Sequence, residues 1–172
     1  MPAEPFRRAG HGRLADGRAV AWSVAEGRHG RRWRWTLTGA DGTLGHAGLI
    51  ELDPGGGFAR LELETAGGMV TLHPAPDGRS AHGNIVGPRG VTPVVIQWAP
   101  DTAVGIEGDP FGSALLAAGQ GSIIRITAES QVVVASRPDG ATGAAGATGG
   151  ALALDSRGVP VLHDAQEWPL EV

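Results

Sequence analysis

The chain has 172 residues, a formal net charge of −4 and no cysteine. That length fits one domain able to bury about 70% of the surface its unfolded form exposes. The missing thiols exclude disulfides, Cys-ligated zinc, iron–sulfur clusters and thiol catalysis, and the acidic balance argues against general nucleic-acid binding, which rests on phosphate neutralisation.

All 14 Lys/Arg positions are arginine. This fits the coding bias of a GC-rich genome and excludes a Schiff-base lysine and a phosphate-loop lysine. Gly 29 and Pro 12 approach the range of low-complexity chains. The glycines, however, punctuate apolar segments that alternate with period two, the signal of half-buried strands.

Residues 1–17 read as a flexible leading segment. Arg7 and Arg8 are followed by no apolar core of the signal-peptide kind. The longest apolar runs, such as Val94–Ile96 and Ala114–Ala118, are far too short for a membrane span. A cytoplasmic chain with no membrane insertion is the expectation.

From 18 to 172 the pattern predicts one domain. Val20, Trp22 and Val24 share a strand face over 18–25, and Trp33, Trp35 and Leu37 share one over 32–38. The turn-rich 26–30 between them predicts a hairpin. The basic, aromatic run 29–35 admits two readings, a stacking platform for bases or a strand with wet arginines and buried indoles. Asp41-Gly42 turns the chain into a strand over 44–53. The glycine run Gly55-Gly56-Gly57 leads into a strand, so it is a hairpin turn and not a phosphate loop.

Residues 58–65 form the clearest amphipathic strand, with Ala59, Leu61 and Leu63 opposite Arg60, Glu62 and Glu64. Strands are expected at 69–73, 81–86, 93–98 and, more weakly, 102–107. Then the period changes. Asp109 as N-cap, Pro110 at the first helical position and Gly119 as terminator predict a helix of about two turns. Strands follow at 122–128 and 131–136, a Gly/Ala-rich loop at 140–150, and a closing hairpin about Ser156-Arg157-Gly158. The tail carries Trp168, which can dock on the body. The fold class is therefore all-β and mainly antiparallel, a spiral β-roll or barrel-like sheet of about ten to twelve short strands with one short helix.

Chemistry-bearing residues are dispersed. No two of the six histidines have the H-x-H or H-x-x-x-H spacing that brings two imidazoles to one metal. His11 and His29 fall in polar stretches, His46 and His82 beside glycine, His73 at a strand end and His163 before Asp164. Ser113 lacks the G-x-S-x-G elbow. Glu62 and Glu64 project from one strand face, either as paired acids or as its wet side. Five tryptophans and three phenylalanines stand without a single tyrosine. Indoles on strand faces in a glycine-rich β protein either plug the core or line an apolar pocket.

The order of elements resembles that of the bacterial glycolipid-binding family with a spiral β-roll. The likeness concentrates in Val95-Ile96-Gln97-Trp98-Ala99-Pro100, in Gly108-Asp109-Pro110-Phe111 leading to Ala114-Leu115-Leu116, and in the closing hairpin Ala151–Pro160. It implies the roll fold and a lipid-like ligand. The family's helix segment is rich in Asn, Thr and Arg where Phe111–Leu116 is apolar, and no family binding residue maps onto this chain.

The resulting expectation is non-enzymatic binding of a lipid-like or other apolar small molecule in a tryptophan-lined β-roll. Trp33, Trp35, Trp98, His73, His82 and Arg60 are the candidate ligand-binding residues. No catalytic residue, metal ligand or cofactor is expected. Two alternatives stand beside it: a homodimer joined through strand edges, and a hydrolase-type enzyme with a dispersed site drawn from His73, His82 and Glu62.

Overall fold

The computed structural model describes residues 5–98, 105–116, 122–126, 132–136 and 152–169. Eight strands follow one another: β1 (Phe6–Arg13), β2 (Ala19–Gly27), β3 (Gly30–Thr38), β4 (Leu44–Leu52), β5 (Phe58–Thr65), β6 (Gly68–Pro74), β7 (Ser80–Gly87) and β8 (Gly90–Gln97). Each pairs antiparallel with the next. A small unit follows, made of β9 (Gly105–Glu107), helix α1 (Pro110–Leu115), β10 (Ser122–Ile126) and β11 (Val132–Ser136). The last strand, β12 (His163–Trp168), returns to pair antiparallel with β1.

The main sheet therefore has nine strands in the order β12-β1-β2-β3-β4-β5-β6-β7-β8, and the small sheet has the order β11-β10-β9. Only β9 and β10 run parallel among the described pairings. The all-β, mainly antiparallel class with one short helix is as the sequence predicts. The sheet is open, not closed into a barrel, with β12 and β8 as its outermost strands. The leading segment also differs from expectation: residues 6–13 are a sheet strand between β12 and β2, not a flexible tail. The loop expected at 140–150 lies outside the described residues, as does the end of the predicted helix.

Period-two alternation divides the main sheet into two faces. In β3, Trp33, Trp35 and Leu37 are buried while Arg32 and Arg34 are exposed. The reading of 29–35 as a strand with wet arginines and buried indoles thus holds. Leu61 and Leu63 of β5, Val70 and Leu72 of β6 and Ala81 of β7 continue the buried face. Ile106, Phe111, Leu115 and Leu116 of the β9–α1 unit cover it. Phe111 sits 6.3 Å from the Trp33 ring and 6.1 Å from that of Trp35.

Glycines make room for the indoles. Gly10, Trp22, Trp35 and Gly48 are direct neighbours across four strands. A Cβ on Gly48 would stand 2.1 Å from the Trp35 ring, and one on Gly10 2.8 Å from the Trp22 ring. Each indole thus lies over a residue without a side chain.

The turns are equally specified. The connections 14–18, 39–43, 53–57 and 155–159 share one backbone pattern, in which the first residue donates to the carbonyl of the fifth and the fourth donates back to the first. The fourth residue must be left-handed, as Gly42 (φ 84°) and Gly158 (φ 73°) are. This is the three-residue hairpin loop with a glycine bulge. Aspartates reinforce it: the Asp41 and Asp155 carboxylates accept the amides of Thr43 and Arg157.

A candidate binding trough and a buried carboxylate

Two constellations stand out, one on each face of the main sheet. On the buried face Asp109 is fully enclosed. Its Oδ1 accepts the Gly112 amide at 2.9 Å and caps α1. Its Oδ2 accepts the Trp35 indole N–H at 2.6 Å and lies 2.7 Å from His46 Nε2. With Asp109 ionised, His46 donates from Nε2. One carboxylate thereby ties α1 to β3 and β4 and satisfies the buried indole donor. A carboxylate beside an imidazole is also a general-base arrangement. His46 is only 4% exposed, though, and neither residue lines the trough below. Here the pair holds the fold.

The sequence singles out neither His46 as a partner nor Asp109 as more than a cap. A signal for His46 exists. It shares strand phase with Gly48 and Ile50, and Ile50 is buried. Period-two counting from Ile50 turns its ring inward.

On the opposite face the strand register lines up Trp168, Ala9, Ser23, Arg34, Leu49, Glu62 and Thr71 in one row across the sheet. Ala21, Thr36, Ala47, Glu64 and Met69 form the neighbouring row. Half of these side chains are short. Between them runs an open trough of about 430 Å³ that reaches from Trp168 to Met69. Leu49 at 8% and Ala9 at 5% are buried although they lie on this outer face. Trp168 is 47% exposed and stacks on His11, with ring centroids 5.2 Å apart. A second hollow of about 350 Å³ shares Glu64 and Met69 with the trough.

The charges here are unevenly committed. Arg32 pairs with Glu51 at 2.6 Å and Arg60 pairs with Glu62. Among the described residues Arg34 makes no ion pair or hydrogen bond, and nor does Glu64.

The six residues expected to bind ligand do not converge. Trp33 and Trp35 are 2% exposed and packed in the core under Phe111, which fills the space between strand and helix, and of the six only Trp35 also borders the trough. Trp98 packs on Phe58 at 5.1 Å beside the same core. Arg60, His73 and His82 alternate with buried Leu61, Leu72 and Ala81 and so face the other way. His73 and His82 are cross-strand neighbours, both exposed, and Ser80 Oγ lies 2.8 Å from His82 Nε2. Glu62, the acid of the alternative enzyme reading, is held by Arg60. Among the described residues no group of three or more His, Asp or Glu could hold a metal ion, and no helix is long and apolar enough to cross a membrane.

Comparison of the chain with protein-family models, with curated proteins and with solved structures finds no match.

Proposed function

We propose that this chain is a non-enzymatic binding protein for a lipid-like or other apolar small molecule, held in the outer-face trough and not among the core tryptophans. One observation carries the reading: about 430 Å³ of open space on the solvent side of the sheet, floored by Ala9, Ala21, Ala47 and Leu49. The wet face of an antiparallel sheet ordinarily carries long polar side chains that cover it. Ligand sites instead combine concavity, apolar lining and a few placed polar groups, with volumes from about 300 Å³ upward. Trp168 adds a large half-exposed ring at one end.

The test is native mass spectrometry of the purified chain beside Ala47→Trp, whose indole would fill the trough. A small molecule carried by the parent and lost from a folded Ala47→Trp variant is the expected result. If a panel of apolar ligands binds neither protein, or binds both equally, the trough is not the site.

A further inference from the structure

We propose that the trough takes an amphiphile with an anionic head, carboxylate or phosphate, bound so that Arg34 meets the head and the apolar body lies toward Trp168. This rests on the binding reading above and adds the ligand's charge and direction.

Among the described residues Arg34 is the only cationic side chain lining the trough. Its neighbours Arg32 and Arg60 on this face are already engaged by Glu51 and Glu62, while Arg34 has no partner among the described residues. Glu62 is held by Arg60 and forms no ion pair with Arg34. Leu49 stands between them in the row, so the two backbones are two strand spacings apart, about 9.6 Å. A guanidinium with its planar fork free is the side chain best suited to a carboxylate or phosphate.

The direction follows from what flanks Arg34. Toward β6 the trough is lined by Glu62 and Glu64, which repel an anion. Toward β12 the row passes Ser23 and Ala9 to Trp168, with Ala21 alongside. That is three strand spacings, about 14 Å, over side chains too short to fill the space. An apolar body of that length spans from the guanidinium to the indole.

Calorimetric titration of the full chain tests this with three probes of one chain length, each below its micelle threshold: dodecanoate, dodecyltrimethylammonium and neutral dodecyl maltoside. Dodecanoate is expected to bind about tenfold more tightly than the cation, and Arg34→Gln to abolish that preference, as loss of a charge-assisted contact should. Trp168→Ala is expected to weaken all three. Equal binding of the three probes, or a preference that survives Arg34→Gln, overturns the assignment of the head. If in either of those cases dodecyl maltoside still binds and Ala47→Trp blocks it, the head assignment alone falls. If no probe binds, the trough reading falls with it.

Discussion

At the scale of single residues, the core depends on one carboxylate and on missing side chains. Removing Asp109 would leave the Trp35 donor, His46 and the first turn of α1 without their shared acceptor. Leaving buried donors without an acceptor costs about 1–3 kcal/mol each. Asp109→Ala should therefore lower the urea midpoint far more than Asp16→Ala at an exposed turn. Gly48→Ala puts a methyl where the Trp35 ring lies, and such overpacking costs about 1–3 kcal/mol. Its near-ultraviolet circular dichroism should change along with its stability, since the indole must turn. The sequence shows which indoles point inward, because alternation in β2 and β3 is strict. It does not show that Phe111 fills the space beneath them, because a contact over more than seventy residues leaves no local pattern. The trough is illegible for a related reason: Ala9, Ala21 and Ala47 on a wet face look neutral one at a time, and only register makes them neighbours.

At the scale of elements, the turns are the most legible part of the chain. An aspartate that accepts amides just ahead of a left-handed glycine is local chemistry, visible as Asp41-Gly42 and Asp155-Ser156-Arg157-Gly158. β1 is the least legible strand. Its inward positions include Arg8, Gly10 and Gly12, where an apolar alternation would be sought. The glycines are there because Trp22 and Leu162 occupy the space; a Cβ on Gly12 would stand 2.5 Å from Leu162. The turns also set a pH response. The Val159 amide foremost, partly offset by burial, and then the Arg157 amide and the charges of Arg157 and Arg8, hold the Asp155 carboxyl below its ordinary value of 3.8. A lowered folded value means that the contribution is complete above pH 3.8 and is lost as acid titrates the folded carboxyl below it. The stability difference between parent and Asp155→Ala should accordingly shrink as pH falls below 3.8, and denaturant melts at stepped pH would show it. A difference that grows in acid would contradict this account of the turn.

At the scale of the whole molecule, an open nine-stranded sheet must protect its edges. β8 presents Val91 and Val95, 64% and 65% exposed, and has no strand beyond it among the described residues. Pro93 sits in the middle of this strand, opposite Asn84. Counting from the Gly87–Gly90 pair that closes the hairpin, position 93 is a non-hydrogen-bonded pair, so its nitrogen points away from β7 toward the free edge. A proline there withholds a donor from any incoming strand. Pro93→Val should raise self-association on light scattering across a dilution series, with the parent unchanged. Equal association of the two proteins would remove proline from the edge's defences. The order of the sheet has a further consequence, for how the chain comes to be folded. Asp109 finds its partners 63 and 74 residues earlier, and Glu167 reaches Arg8 across 159. A chain synthesised from its N-terminus completes the β1–β8 meander while the apolar side of that sheet is still bare and β1 still lacks its outer neighbour. Such non-local closure is slow, and the waiting intermediate is prone to stick to others of its kind. The last strand to emerge is the one that seals the first.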